Sequence, residues 1–340
     1  MARRATITDV AKKAGVSVAT VSRYFAANGY PVSKSAGERI DKASRELQYT
    51  PNMVGRMLKT NTSRDIGVII PTIMNPFYPD VLLGIEKTAA DHGYQILLCN
   101  SLRNPEAEKG YIDSLYQKQV RGIIVAGAGG NLGKYCEMKE KGMHVVNLEE
   151  SSDCCLGINF DFVKSGRLLA AHLVELGHSN IAFLTSPLTK KSRRDVLKGI
   201  REIVPVPDIN IIIDDAETET EDGIYEYEMG VRLSKRFLMI KDRPTAVIAV
   251  NDITAAGVMK GLLESGLSVP DDVSVAGFDN IGLSSMITPS LTTVDQPGFR
   301  TGEVAAQMLI AGIENLEIKY QIIEPELIIR ASTSKNRRLK

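Results

Sequence analysis

The run TITDVAKKAGVSVATVSRYF, residues 6–25, sets one guanidinium, Arg23, five residues behind Val18. Arginine can bond a guanine edge through two parallel hydrogen bonds, whereas Val18 and Ala19 offer only apolar contact, for example to a thymine methyl. Ser17, Thr20, Ser22, Lys12, Lys13 and Lys34 add hydroxyl and ammonium groups suited to phosphate oxygens and sugar edges. Thr8, in the same DNA-facing set, also has the side chain to cap a first helical turn. The later segment YTPNMVGRMLKT, residues 49–60, carries Asn52 and Arg56 among Met53, Val54, Met57 and Leu58. A leucine beside a cation can wedge into a minor groove and unstack a base step. Packing against the rest of the chain is the other use for so many apolar residues.

Positioning these groups takes three short helices. The first runs from a Thr8 cap to Gly15. The second runs from a Ser17 cap to about Ala26, with Val18, Val21 and Phe25 on one face. Gly29, Tyr30 and Pro31 interrupt the pattern. Ser33 can cap a third, in which Ala36, Ile40, Ala43 and Leu47 form one buried stripe. Helix, tight turn and helix make a helix-turn-helix whose second helix can enter the major groove. The helix after Pro51 is only about two turns long and is marginal by itself in water.

From Asp65 the pattern changes. Short apolar runs such as IGVIIP (66–71), QILLC (95–99), GIIVAG (122–127), HVVNL (144–148), IAFLTS (181–186), INIII (209–213), AVIAV (246–250) and VSVAGF (273–278) alternate with helical stretches. This predicts an α/β core of two doubly wound parallel-sheet lobes behind an all-α head, with ligands bound beyond the carboxyl ends of the strands. LTTVDQP (291–297), a helix to about Ile313 and strands in YQIIEP and ELIIR complete it.

Charge divides at the same place. The 340 residues hold 41 basic and 41 acidic side chains, a formal net charge of zero. Residues 1–64 contain 12 basic and 4 acidic residues, a net of +8, and residues 65–340 therefore carry −8. A basic head on an acidic body points to two parts with different partners. No apolar run reaches the roughly 20 residues of a membrane span, and Arg3 and Arg4 precede no apolar signal stretch, so a cytoplasmic protein without membrane partners is expected. Cys99, Cys136, Cys154 and Cys155 show neither C-x-x-C nor zinc spacing and read as reduced thiols. His92, His144, His172 and His178 have no evident nucleophile nearby. GAGG (127–130) lacks the third glycine of a dinucleotide loop, and DDAETETED (214–222) lacks the glycine and spacing of a calcium loop. No cofactor, no metal site and no enzyme activity are expected.

Taken together, TITDVAKKAGVSVATVSRYF, YTPNMVGRML, IGVIIPTIMNPFY, QVRGIIVAG, HLVELGHSNIAFL, NDITAAGVMKG and VPDDVSVAGFDN resemble the lactose–galactose repressor (LacI/GalR) family of bacterial transcription regulators. The resemblance covers about residues 6–331 and extends to periplasmic sugar-binding proteins, whose two-lobed core the family shares. It implies a homodimer on a palindromic double-stranded operator, with Val18, Ala19 and Arg23 reading bases, Leu58 entering the minor groove, and a hinge helix that folds only on DNA. It also implies a helix-turn-helix domain at 1–50, a hinge and linker at 51–64, and a two-lobed effector and dimerisation domain at 65–334. The N-lobe would hold about 65–160 and 294–322, the C-lobe about 161–293 and 323–334, and 335–340 a basic tail. Gly55 stands where the family has alanine, which predicts a hinge that is harder to order, since glycine costs about 1 kcal/mol more than alanine in a helix interior.

For the effector, the resemblance implies a site between the lobes at Asn75, Phe77, Tyr78, Asp161, Tyr225, Asn251, Asp279 and Gln296. Aromatics there can stack a ring, and a carboxylate at a strand end can accept hydrogen bonds from polyol hydroxyls. Turn and helix capping is the other use of Asn251 and Asp279. Val196 replaces a family arginine three residues before Gly199, while Lys190, Lys191, Arg193 and Arg194 crowd the preceding loop. Arg193 and Arg194 are therefore expected at the site too. They would hold the phosphate or carboxylate of an anionic effector such as a phosphosugar, or serve a neutral sugar. The function expected is a ligand-responsive DNA-binding regulator, a repressor of a carbohydrate-utilisation operon. A nucleobase effector, a phosphocarrier-protein partner or a solute-binding protein without regulation are the alternatives.

Overall fold

The helical head starts one residue pair earlier than Thr8. Thr6 caps helix α1 (Ile7–Ala14) in a reciprocal box: Asp9 N–H donates to Thr6 Oγ1, and the Asp9 carboxylate accepts from Thr6 N–H at 2.8 Å. The paired Thr6–Asp9 spacing satisfies two backbone donors at once, which a cap at Thr8 cannot do, so Thr8 is an exposed residue inside the first turn. Gly15 closes α1 in the left-handed conformation. Ser17 Oγ accepts from Thr20 N–H at 3.1 Å at the start of α2 (Val18–Phe25), and Ser33 caps α3 (Lys34–Glu46). Val10, Ala11, Ala14, Val21, Ile40 and Ala43 form the head's core. Arg39 donates to the Ala14 carbonyl and Lys13 pairs with Glu46 at 2.7 Å, both tying α1 to α3.

The computed structural model describes residues 5–25, 32–50, 63–126, 131–149, 151–205, 208–214, 224–318 and 322–337. The hinge residues Asn52, Gly55, Arg56 and Leu58, the GAGG run and most of the acidic run lie outside them. The chain forms two compact units, residues 1–62 and 63–340.

The second unit carries two sheets. The first takes the order β2-β1-β3-β4-β5 from β1 (Asp65–Ile70), β2 (Gln95–Asn100), β3 (Gly122–Val125), β4 (His144–Asn147) and β5 (Leu156–Gly157), all parallel. Helices α4 (Phe77–Asp91) and α12 (Gly298–Glu314) cover one face, and α5 (Pro105–Gln117) and α6 (Leu132–Glu140) the other. Because both faces are covered, strands such as β1 are apolar throughout rather than alternating.

The second sheet takes the order β13-β11-β10-β9-β7-β8. It uses β7 (Ile181–Thr185), β8 (Ile209–Ile213), β9 (Ala246–Ala249), β10 (Ser274–Asp279), β11 (Thr292–Asp295) and the antiparallel edge strand β13 (Glu326–Ile328). Helices α7 (Phe162–Glu175) and α8 (Lys191–Ile203) pack on one face; α9 (Tyr225–Leu238) and α10 (Asp252–Glu264) pack on the other. A short helix, α11 (Gly282–Met286), follows β10. Two-residue strands β6 (Asn159–Phe160) and β12 (Ile322–Ile323) pair with each other where the chain passes between lobes. β11 keeps its pairing with β10 as far as Asp295, so that passage falls just after residue 295.

Glycine sets the helix spacing in the second lobe. A Cβ on Gly199 would overlap the Val163 carbonyl and one on Gly166 the Val196 carbonyl, so α7 and α8 touch backbone to backbone. Gly230 and Gly257 do the same for α9 and α10. Cys136 and Cys154 form a disulfide with Cα atoms 4.6 Å apart, which corrects the expectation of four reduced thiols. The end of α6 runs against the β4–β5 loop and brings together two cysteines 18 residues apart. Cys99 and Cys155 lie outside this disulfide, and Cys155 Sγ sits 3.2 Å from the Ser152 hydroxyl.

Candidate DNA-reading face and effector cleft

On α2 the apolar pattern splits by depth. Val21 is fully buried, while Val18 is 41% exposed and Ala19 and Arg23 also face solvent. An apolar side chain left outside at a helix start, next to an exposed guanidinium, is what base reading needs and what core packing would not leave. Ser17 and Thr20 share a 2.9 Å hydroxyl contact, which fixes the first turn; Ser22 is half-buried behind it.

In the second unit a cleft with a cavity of about 140 Å³ opens beyond the strand ends of both sheets. Of the expected effector residues, Asn75, Phe77, Tyr78, Arg193, Asn251, Asp279 and Gln296 line it. Asn75 follows β1, its Oδ1 accepting from Phe77 N–H at 3.0 Å to start α4 with both rings turned to the cleft. Asn251 caps α10 through Thr254 N–H at 2.8 Å, while its amide nitrogen turns inward and donates to Glu226 at 2.8 Å. It therefore does the capping job weighed from sequence and also lines the cleft.

Asp279 ends β10 at φ 106°, followed by Asn280 at φ 53°. Non-glycine residues in this region cost about 1–3 kcal/mol each and persist where surrounding contacts impose them. Those contacts are present: Asn280 donates to Asp295 at 3.0 Å and accepts from Arg330 at 2.6 Å. Asp252, at the first turn of α10, accepts from Ile281 N–H, Ser284 Oγ and Thr293 Oγ1, binding the loop after β10 to β11. Burial pushes the Asp252 carboxyl up to about 7 despite these donors. The Asp279 carboxyl is held well above the usual range by burial and by the charges of Asp252 and Glu226, against one amide hydrogen bond from Asn75.

Three expected cleft residues lie elsewhere. Asp161 is exposed and caps α7 through Lys164 N–H at 2.8 Å. Arg194 is exposed and donates to the Leu188 and Thr189 carbonyls. Tyr225 is buried, its ring flanked by the Arg103 and Arg232 guanidinium groups. The next residue, Glu226, faces the cleft in its place. Arg103, Glu149, Lys190, Ser192, Phe160, Phe162 and Phe278 also line the cavity. Of the four-cation loop, Lys190 pairs with Glu149 at 2.5 Å and Lys191 with Asp195. Arg193 turns its guanidinium to the cleft, held by the Pro187 carbonyl at 2.8 Å, with no ion pair to an acid among the described residues. Burial, then the neighbouring Arg103 charge, lower its pKa. His172 and His178 tie the segment at 333–334 to the second lobe rather than facing the cleft.

A helix-turn-helix head joined to a two-lobed core, with a polar, ring-walled cleft between the lobes, is the make-up of a ligand-responsive transcription regulator. Residues 6–52 match the domain described as "Bacterial regulatory proteins, lacI family", and residues 170–333 match the periplasmic binding protein-like domain. The chain is 33% identical, over 97% of its length and 99% of the relative, to the HTH-type transcriptional repressor PurR of Mannheimia succiniciproducens. It is 35% identical, over 96% of its length and 97% of the relative, to the ribose operon repressor of Halalkalibacterium halodurans. Among solved structures, the lac repressor dimer bound to operator and the anti-inducer ONPF superimposes with a TM-score of 0.84 at 28% identity, covering 98% of this chain and all of that one. A LacI family regulator of Enterococcus faecium with bound ribose reaches 0.71 at 27% identity, over 80% of this chain and all of that one. The chain belongs to the LacI family: it is a DNA-binding transcriptional repressor with a periplasmic-binding-protein-like effector domain, and it is not an enzyme. Among the described residues no helix is long and apolar enough to cross a membrane.

Proposed function

We propose that the repressor acts as a homodimer on a palindromic operator and that its effector is a small neutral sugar held between the lobes. The observation that carries the sugar is the pairing of opposite hydrogen-bonding characters across one small cavity. Asp279 and Glu226 accept, Arg193 donates, and the rings of Phe77, Tyr78, Phe160 and Phe162 supply faces for a sugar ring. At about 140 Å³ the cavity is below the drug-sized range and suits a single ring. The neutral sugar is favoured over the phosphosugar because Lys190, Lys191 and Arg103 are already paired with acids and Arg194 lies outside, leaving the Arg193 guanidinium beside the Asp279 carboxyl. The ribose-bound Enterococcus structure and the ribose operon repressor relative support a pentose. The four ring walls also favour a second reading, a planar nucleobase stacked between them.

For the homodimer, apolar side chains stand on surfaces of both lobes: Leu83 on α4, Leu98 on the edge strand β2, and Leu263 and Met286 on the second lobe, the last 78% exposed. Such residues mark association surfaces when they cluster. A thermal-shift screen of pentoses, hexoses, their phosphates and nucleobases tests the effector reading. Stabilisation by an uncharged sugar is expected; stabilisation by sugar phosphates or bases alone overturns it.

A further inference from the structure

We propose that Glu226 is an interlobe latch: its carboxylate draws the two lobes together without effector and makes the cleft selective for ligands rich in hydrogen-bond donors. The inference goes beyond the sugar reading and does not depend on which molecule occupies the cleft.

Glu226 sits in the first turn of α9, on the second lobe. Its two oxygens collect three donors from three separate segments. Arg103 Nη2 donates to Oε1 at 2.6 Å, Asn251 Nδ2 to Oε1 at 2.8 Å, and Asn75 Nδ2 to Oε2 at 2.8 Å. Asn251 belongs to the same lobe, but Asn75 and Arg103 belong to the first lobe, after β1 and β2. The Arg103–Glu226 pair is largely withdrawn from water, with side-chain exposures of 20% and 12%, so it is screened far less than a surface bridge. Its geometry is prepared on both sides. Arg103 stands in the left-handed region at φ 57° after β2. The Tyr225 ring, next to Glu226 in sequence, backs the same guanidinium at 6.0 Å.

The consequence is a cleft in which the Arg103 and Asn75 donors are satisfied by the protein itself. An oxyanion that sought Arg103 or Asn75 would have to displace Glu226 and would still face Asp279. A hydroxyl-bearing ligand instead finds the Asp279 carboxyl and the remaining acceptor capacity of Glu226. Closure is also prepaid: a ligand that binds the closed cleft has less of its binding energy diverted to bringing the lobes together.

The sequence has no tryptophan, so Phe162→Trp in the full chain introduces a single reporter on the cleft wall. Acrylamide quenching of that reporter, measured without any ligand, reads how open the cleft is. Arg103→Met and Glu226→Gln should each raise the quenching constant at least about twofold, and the double variant no further than the stronger single, because one interaction is lost in all three. Far-UV circular dichroism checks the fold. If Glu226→Gln does not fold, Arg103→Met and Asn75→Ser test the latch from the first lobe: each removes a different bond to Glu226, so each should raise the quenching constant and the double variant should raise it further. Unchanged quenching in the single variants, or effects that add in the Arg103–Glu226 double, overturn the latch.

Discussion

Asp279 concentrates the trade between stability and function in one carboxyl. Its pKa is raised in the folded chain, so the folded state keeps its proton at a pH where the unfolded state, near about 3.9, has released it. The sign follows: the residue costs nothing below the ordinary carboxylate range, and stability is lost as pH rises toward the folded value. Asp279→Asn keeps the shape, tolerates a left-handed backbone and removes the buried acid. Thermal melts should show the variant several degrees above the parent at pH 7 with the gap closing near pH 4. The same variant should lose effector binding. A gap that grows toward acid would contradict the raised pKa. Asp279, Asn251, Asn75 and Gln296 line the cleft where the family resemblance implied they would, and the apolar pattern by itself marked only the strand ends beside them. Glu226 was not legible, although its neighbour Tyr225 was singled out. Ile224 makes no side-chain cap at the start of α9, so no sequence signal fixed which face of that first turn looks inward. Arg103 escaped for a different reason: its direction depends on a left-handed residue in a loop, which nothing in its sequence context marks.

Among the elements, helix pairs held backbone to backbone carry the cleft walls. α9 presents Glu226 and α10 presents Asn251, and the two helices meet at Gly230 and Gly257. Gly257→Leu would drive a side chain into the Tyr227 carbonyl and force the helices apart, at a cost of about 1–3 kcal/mol or more. Urea unfolding should register that loss, with effector affinity falling alongside; a stability equal to the parent's would argue that the pair is loosely packed. In the head, α2 is the proposed reading element. Arg23→Ala should weaken operator binding and relax the preference at one base position, whereas Lys12→Ala should weaken all sequences alike. Competition binding against single-base operator variants separates the two. For the hinge segment the argument rests on sequence alone: Gly55→Ala should tighten operator binding about fivefold, the equivalent of about 1 kcal/mol, at fixed salt. Weaker or equal binding would remove glycine as the cause of a costly hinge. The helix-turn-helix was readable almost to the residue from Gly15, Ser17 and Ser33. The Thr8 cap was misjudged because a lone threonine looks like a cap wherever it precedes an apolar run, while the Thr6–Asp9 box is recognised only as a pair.

For the molecule as a whole, the charge division at residue 64 and the boundary between the two compact units at residue 62 nearly coincide. A +8 head facing phosphates predicts operator affinity that falls steeply with salt, the slope counting the phosphates neutralised. The acidic core discourages any other part of the chain from lying on DNA. Repression then becomes conditional only if the effector binds two arrangements of the lobes with different affinity. The two-lobed plan was legible because the central strands of both sheets are short apolar runs buried on both faces. The passages between lobes were less so, since β6 and β12 are two residues each and give no periodicity to read. All of this turns on what the cleft holds. Isothermal titration calorimetry of the full chain with matched pairs, each sugar against its phosphate and with a nucleobase series alongside, tests that directly. Saturable heat with an uncharged sugar, lost in Asp279→Asn, is the predicted result; binding confined to the phosphorylated members or to the bases would contradict it.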